Sequence, residues 1–177
     1  DPALTLRLLQ EARAAAQLEH PAIVRVIDFG KTAAQEPFIV MEPLVGEDLA
    51  SHIEIQGRLS PKTAVRLLLP IAHGLATAHA KGIVHRDVKP ENVFLHRRDG
   101  GGLQPKLVDF GVAKLERDDQ QRITQLGSTL GSPAYMSPEQ ARGRDVDARA
   151  DVWSFAVLLY ESLTTMMPFD GAVYGEL

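Results

Sequence analysis

Residues 85–92 read HRDVKPEN, and residues 109–111 read DFG. These two segments hold side chains of complementary chemistry. Asp87 is a carboxylate that can accept a hydroxyl proton, and Lys89 beside it can meet phosphate charge. Asn92 and Asp109 offer the amide and carboxylate oxygens that a hard ion such as Mg²⁺ prefers over a set of histidine and cysteine ligands. The pattern indicates a site that handles phosphate groups together with divalent cations.

Each segment alone is a weak signal, because a lone DFG is most often a turn and a lone HRD a surface charge cluster. Their order and the segments that follow are more specific. Residues 131–139 read GSPAYMSPE, and residues 151–154 read DVWS. In this order the four segments resemble the catalytic loop, the metal-binding loop, the end of the activation segment and the central large-lobe helix of protein kinases. Lys89, two residues after Asp87, is typical of the serine/threonine branch, and YMSPEQ at 135–140 resembles bacterial, Hanks-type members.

The resemblance implies an α+β, protein-kinase-like fold. Residues 1–41 would form a partial small lobe with the regulatory helix and the fourth and fifth strands. Residues 42–46 would be the hinge, and residues 47–177 a large lobe that lacks its last helices. The hydrophobic pattern agrees with this division, since it predicts a helix over 4–18, strands over 23–29 and 38–41, and helices over 60–82 and 145–166.

The two long helices carry more detailed predictions. Ser60 and Pro61 form a strong helix start, and Pro70 inside the same helix predicts a bend. The helix over 145–166 is apolar on so many sides that we expect it to be buried. The predicted apolar face of the helix over 60–82 consists of Val65, Leu68, Leu69, Ala72, Leu75, Ala76 and His79.

The resemblance also implies the roles of the catalytic residues. Asp87 would orient the attacking serine or threonine hydroxyl as a base, and Lys89 would steady the γ-phosphate of ATP. Asn92 and Asp109 would hold Mg²⁺. His85 and Phe110 would pack with Ala15 and Val26 in the hydrophobic column that joins the two lobes. The other five histidines show no spacing typical of metal ligands, so no zinc site is expected.

The hinge would bind adenine through its backbone. By resemblance Met41 is the gatekeeper, and the Glu42 carbonyl and the Leu44 amide face the purine. Pro43 lacks an amide hydrogen, but that position needs none. Asp48 has two interpretations, either a contact to a ribose hydroxyl or a negative charge at a helix N-terminus. The remaining cofactor-binding candidates are Phe94 and, on the regulatory helix, Glu11.

The polar stretch between Asp109 and Glu139 resembles an activation segment. We expect activation by phosphorylation at Thr124, Ser128 or Thr129, whereas Ser132 would bond Asp87 and Lys89. Resemblance places Arg7, Arg86 and Lys114 around one phosphate-binding pocket. The alternative is that these three residues are exposed charges.

Composition excludes several classes of function. A net charge of −4 and a pI near 5.9 give no electrostatic reason to expect nucleic acid or an anionic membrane as partner. Without cysteine the chain has no disulfides and no zinc–thiolate sites. The absence of cysteine is compatible with a reducing interior, and we expect a cytoplasmic domain. No run of 18 apolar residues occurs, so no segment of these residues is expected to span a membrane, although the domain would also suit the intracellular part of a longer, membrane-anchored protein. The start, DPA, lacks both an initiator methionine and a signal pattern, which indicates a segment of a longer protein.

Two parts of a kinase are missing from these residues. The glycine-rich loop and the strand lysine that pairs with Glu11 should precede the regulatory helix, yet Gly30 and Lys31, which follow it, are the only glycine and lysine before Met41. A truncated catalytic domain, inactive as a fragment, is the favoured interpretation, and a pseudokinase-like interaction module is the alternative. A small-molecule phosphotransferase is disfavoured by Lys89 and by residues 132–139. The expected partners are proteins with serine or threonine hydroxyls and a second copy for trans-autophosphorylation.

Overall fold

The computed structural model describes Leu9, residues 12–110 and residues 133–169. Leu9 and residues 12–15 are helical, in agreement with the predicted first helix. The strands are β1 (Val26–Lys31), β2 (Pro37–Met41), β3 (Gly46–Asp48), β4 (Val93–Arg97) and β5 (Leu103–Leu107). The α-helices are α1 (Leu49–Gln56), α2 (Pro61–Ala80), α3 (Pro138–Ala141) and α4 (Ala148–Thr164), with 3-10 turns at Pro90–Asn92 and Pro133–Tyr135. The result is the predicted α+β arrangement.

The strands form two antiparallel sheets. β1 pairs with β2, and β3, β4 and β5 form the second sheet in that order. The predicted strand over 23–29 begins three residues later than expected. Ile23 and Val24 bridge β5 instead, because the Val24 amide donates to the Leu107 carbonyl at 3.0 Å and the Leu107 amide donates to the Ala22 carbonyl at 2.8 Å. This connection joins the small sheet to the larger one.

Helix α2 starts where the sequence predicts. The Ser60 hydroxyl accepts a hydrogen bond from the Thr63 amide at 3.2 Å, and Pro61 occupies the first helical position. The helix continues through Pro70. Two residues of the predicted apolar face are not buried, since Val65 is 60% exposed and Leu69 is 51% exposed. The face that is buried contains Ala64, Leu67, Leu68, Ile71, Gly74, Leu75 and Ala78.

Helix α4, which the sequence predicts to be buried, is buried on one face and exposed on the other. Val152 is 63% exposed and Tyr160 is 43% exposed. The buried face of α4 instead includes polar residues whose hydrogen bonds are satisfied inside the protein. The Ser154 hydroxyl donates to the Tyr135 carbonyl at 2.7 Å, and Asp151 is completely buried. A count of apolar residues around the helix could not identify this face.

The core lies between α2, α4 and the three-stranded sheet. Its largest members include Leu49, Leu67, Leu68, Ile71, Leu95, Leu107 and Leu158, each 2% exposed or less. In the part of the chain that the structure describes, no helix is long and apolar enough to cross a membrane. The core positions one end of the β4–β5 hairpin beside the loop that follows α2.

Candidate active site

The loop over 85–92 closes on itself and brings three predicted catalytic residues together. The Asn92 amide nitrogen donates to the Asp87 backbone carbonyl at 2.8 Å and to Asp87 Oδ2 at 2.9 Å. Lys89 Nζ lies 2.9 Å from the same Oδ2. The 3-10 turn at Pro90–Asn92 reverses the chain and makes these contacts possible. A carboxylate, an ammonium and an amide therefore meet within hydrogen-bond distance.

The β4–β5 hairpin brings Asp109 to the same end of the sheet. Val93 pairs with Leu107, so the next residues along the two chains, Asn92 and Val108, are neighbours. The Val108 amide donates to the Asn92 carbonyl at 2.9 Å. Asp109 follows with a φ of 59°, in the left-handed region that non-glycine residues rarely adopt. Such strain is typical of functional positions. Asp109 thus directly follows the residue that is bonded to Asn92, and it is exposed.

Asn92 and Asp109 fit the requirements of Mg²⁺. Asn92 is 6% exposed, and its amide nitrogen is engaged by two oxygens of Asp87, which leaves its Oδ1 as the atom able to bind a cation. With the Asp109 carboxylate this makes two hard oxygen donors. Mg²⁺ is commonly held by one or two protein groups plus substrate phosphates. The donor set agrees with the metal that the sequence predicts.

His85 is completely buried beneath this loop. Its ring meets Phe110 edge to face, with centroids 4.6 Å apart, which confirms the predicted packing. The Asp87 amide donates to His85 Nδ1 at 3.2 Å, and Nε2 lies 2.9 Å from the Val108 carbonyl. The neutral imidazole with its proton on Nε2 satisfies both contacts. Burial lowers the pKa of His85 and outweighs the opposing charge of Asp151, so the ring stays neutral.

Acid should therefore weaken this site. Because the pKa of His85 is lower in the folded protein than its ordinary 6.5, the unfolded chain takes up the proton first, and stability falls as the pH drops below that value. We expect His85→Phe to lower the free energy of unfolding by about 2 kcal/mol at neutral pH, since two hydrogen bonds are lost. The difference in unfolding free energy between wild type and variant should shrink on acidification to about pH 5.5, because only the wild type contains the buried imidazole that resists protonation in the folded state.

Urea unfolding of both proteins at several pH values measures the effect. Thr77→Ala, on α2, is the control: it removes the hydrogen bond from the Thr77 hydroxyl to the His73 carbonyl at 2.9 Å but no titrating group, so it should leave the pH dependence close to that of the wild type. If the wild type and His85→Phe lose equal stability on acidification, His85 is not the group responsible.

Asp151 is a site residue that sequence reasoning missed, since residues 151–154 served only to identify the helix. Its Oδ2 accepts the His85 amide at 2.8 Å, and its Oδ1 accepts the Arg86 amide at 2.7 Å. His79 Nε2 lies 2.7 Å from Oδ2. These bonds hold Arg86 at a φ of 70°, directly before Asp87. The available signal was weak, because Asp151 lies in the first turn of α4, where an acidic residue is also common at the protein surface.

The hinge candidates lie where β2 ends. Met41 is 41% exposed and, with Asp109 and Phe110, lines a small apolar cavity. The Glu42 amide donates to the Arg25 carbonyl at 3.0 Å, and the Glu42 carboxylate accepts bonds from the Arg25 amide and from Lys106. Leu44 is half-buried. The nucleotide-binding roles of these residues stay predictions.

Asp48 caps helix α1. Its Oδ1 accepts the Ser51 amide and its Oδ2 the Ser51 hydroxyl, each at 2.8 Å. Burial raises the pKa of Asp48, but these hydrogen bonds outweigh it and the net shift is downward. This is the helix-terminus alternative, and the ribose contact stays a prediction. Phe94, half-buried on β4, is the strand partner of Asp48.

The phosphate pocket and the activation segment are only partly described. Of the predicted pocket, Arg86 is described, and its carbonyl accepts the Gln140 side-chain amide at 2.9 Å. The remaining predicted site residues lie outside the described residues; they are Arg7, Glu11, Lys114, Thr124, Ser128, Thr129 and Ser132.

Comparison with known proteins places these features in a family. The family model described as protein kinase domain matches residues 3–175. Serine/threonine-protein kinase pkn2 of Myxococcus xanthus is 46% identical over 166 residues, which are 93% of this chain and 20% of that protein. PknB of Mycobacterium tuberculosis is 41% identical over 174 residues, which are 97% of this chain and 27% of that protein. The chain thus spans between a fifth and about a quarter of these relatives.

A solved structure gives the same result. The crystal structure of a point mutant of the Mycobacterium tuberculosis PknI kinase domain has a TM-score of 0.74 and 30% sequence identity, and the match covers 96% of this chain and 61% of that chain. The chain therefore belongs to the protein kinase family, in its bacterial, Hanks-type serine/threonine branch.

Proposed function

We propose that this chain is the catalytic segment of an enzyme that transfers the γ-phosphate of ATP to serine or threonine hydroxyls of proteins, including its own activation segment. The observation that carries the proposal is the convergence of Lys89 and Asn92 on one carboxylate oxygen of Asp87 at 2.9 Å. Phosphoryl transfer needs mainly positioning and charge stabilisation. A rigid loop with both a carboxylate and an ammonium supplies these.

Each residue has a defined part in the reaction. The Asp87 carboxylate orients the attacking hydroxyl and receives its proton. The Lys89 ammonium, held 2.9 Å from that carboxylate, neutralises charge on the transferred phosphoryl group. Asn92 limits the motion of Asp87 by bonding both its backbone and its side chain. The Asp151 carboxylate holds the loop in position by accepting hydrogen bonds from the His85 and Arg86 amides.

The proposed cofactors are ATP and Mg²⁺. Asn92 Oδ1 and the Asp109 carboxylate would hold Mg²⁺, which when bound neutralises phosphate charge. Met41, Leu44 and Phe94 would contact the nucleotide, together with the Glu42 carbonyl and Asp48. Glu11 would pair with a lysine that these 177 residues do not contain before the regulatory helix.

Regulation would act through the activation segment. Phosphate on Thr124, Ser128 or Thr129 would meet Arg7, Arg86 and Lys114, and Ser132 would bond Asp87 and Lys89. Protein substrates and a second copy of the chain are the proposed partners. We place the domain in the cytoplasm, where ATP and Mg²⁺ are available, and we propose no nucleic-acid partner because the net charge is −4.

A pseudokinase-like interaction module is the second candidate. The glycine-rich loop and the strand lysine that would distinguish it from an enzyme are not part of these 177 residues. For the same reason we expect these 177 residues alone to transfer little phosphate. The enzyme is preferred because the catalytic loop retains each acidic, basic and amide group that the reaction needs.

Metal dependence tests the proposed function. In the full-length protein we expect Mg²⁺-dependent autophosphorylation on serine or threonine that chelation abolishes. Asp109→Asn should raise the Mg²⁺ concentration for half-maximal activity about tenfold, because one charged ligand is lost. Incorporation of labelled phosphate against Mg²⁺ concentration measures this.

Asp99→Asn is the matched control, since Asp99 lies in the exposed turn at the opposite end of the same hairpin. It should behave like the wild type. A full-length wild type that transfers no phosphate at any Mg²⁺ concentration would favour the interaction module.

A further inference from the structure

Lys106 is a buried charge that the catalytic scheme does not use. It lies on β5, and its side chain is only 8% exposed. A buried ammonium is unfavourable unless it is paired and hydrogen-bonded. Lys106 Nζ donates to Glu42 Oε1 at 2.6 Å, and the Arg25 amide donates to the same oxygen at 2.8 Å. A residue of the large sheet thus reaches across to the segment that follows β2.

The partner of Lys106 is the residue whose carbonyl the proposed hinge uses. The Glu42 backbone amide is held by the Arg25 carbonyl at 3.0 Å, and its carboxylate by Lys106 and the Arg25 amide. Burial acts to raise the pKa of Glu42, yet the bonds from Lys106 and Arg25 give a net lowering, so the carboxylate is ionised. Amide and carboxylate together anchor Glu42 through its N-terminal peptide unit and its side chain. Pro43 restricts the ψ angle of the residue before it, so an anchored Glu42 leaves its carbonyl little freedom to rotate.

Strand β5 also leads directly to Asp109, one of the two proposed Mg²⁺ ligands. Two residues after Lys106, the Val108 amide donates to the Asn92 carbonyl at 2.9 Å. The same short stretch of chain therefore contacts the hinge through a side chain and the catalytic loop through its backbone. In comparison, Gln104, two residues before Lys106, donates from Nε2 to the Pro21 carbonyl at 2.7 Å, outside the hinge.

We propose that Lys106 is a positioning residue for base recognition, which holds Glu42 so that the hinge carbonyl is presented to the 6-amino group of adenine. This inference rests on the proposed function and adds a determinant of base specificity to it. Guanine carries a carbonyl oxygen at the same place, and a fixed acceptor therefore repels it. A mobile hinge carbonyl discriminates less, because it can turn away from the guanine oxygen.

The test compares ATP and GTP in the full-length protein. Lys106→Met should raise the KM for ATP about tenfold with little change in the KM for GTP, because only adenine uses the fixed acceptor. The value of kcat at saturating ATP should stay within about twofold, since the catalytic loop is untouched. Lys106→Arg, which keeps the charge and the donors, should retain most of the preference for ATP.

Two further variants separate positioning from stability. Glu42→Gln keeps the backbone carbonyl and nearly the same volume, so it should reproduce the loss of preference for ATP, and combining it with Lys106→Met should add little. Gln104→Met removes a different contact of the same strand and should leave the ATP-to-GTP ratio unchanged. Circular dichroism checks that each variant is folded, and Glu42→Gln decides the question if Lys106→Met does not fold.

The outcomes distinguish this inference from the proposed function. A wild type that prefers ATP, with an unchanged preference in Glu42→Gln and in folded Lys106→Met, overturns the role of Lys106 and leaves the kinase proposal intact. An equal loss of the preference for ATP in Gln104→Met overturns the role of Lys106 as well, because the loss would then not depend on the contact between Lys106 and Glu42. A full-length wild type that binds neither nucleotide overturns both.

Discussion

Replacing Asp87 by asparagine in the full-length protein is expected to lower kcat about 10³-fold, within the range for loss of a general base. Asparagine has nearly the same shape but cannot accept the hydroxyl proton. It also removes the negative charge that Lys89 Nζ meets at 2.9 Å. Its side-chain oxygen can still accept the bond from Asn92, so the loop should keep its conformation. The loss should therefore appear in the chemical step, with little change in stability.

Steady-state phosphorylation of a serine-containing peptide, with titration of ATP, measures this effect. We expect the KM for ATP to change by less than about threefold, because Asp87 contributes mainly in the transition state. Glu91→Gln is the matched control, since Glu91 is an exposed carboxylate four residues along the same loop. A variant Asp87→Asn that keeps more than about a tenth of the wild-type kcat would exclude Asp87 as the base.

Replacing Asp151 by alanine is expected to have the largest effect on stability, a loss of about 3 kcal/mol or more in the free energy of unfolding. The carboxylate is completely buried and accepts bonds from the His85 and Arg86 amides. Alanine leaves both buried donors and His79 without an acceptor and opens a cavity. Because Asp87 directly follows Arg86, activity should fall together with stability.

Denaturant unfolding measures the stability, and hydrogen exchange at the His85 and Arg86 amides locates the change. Asp147→Ala is the matched control, because Asp147 caps the same helix one turn earlier by accepting the Arg149 amide at 2.9 Å. Loss of that exposed cap should lower stability much less than Asp151→Ala does and leave activity unchanged. If Asp151→Ala is no more destabilising than Asp147→Ala, the catalytic loop does not depend on the buried carboxylate.

The geometry of the loop 85–92 could be anticipated because its partners are close in sequence. Asp87 and Asn92 are five residues apart, and a single 3-10 turn is enough to bring them within 2.9 Å. The helix start at Ser60 and the turn between β4 and β5 are local features too, set by cap and glycine chemistry. Such features depend on residue type and short spacing, and the order of the segments was enough to indicate the family.

Other features depend on partners that are far apart in sequence. Asp151 lies 66 residues from His85, and Lys106 lies 64 residues from Glu42, yet each pair forms a hydrogen bond. No periodic sequence pattern predicts such pairs, because their geometry results from how α4 and β5 pack against the rest of the core. The buried faces of α2 and α4 were misjudged for the same reason, because packing partners decide which side of a helix is covered. Local chemistry in the chain therefore identified the candidate catalytic residues and the family, whereas the tertiary structure alone decided which buried charges hold those residues in place.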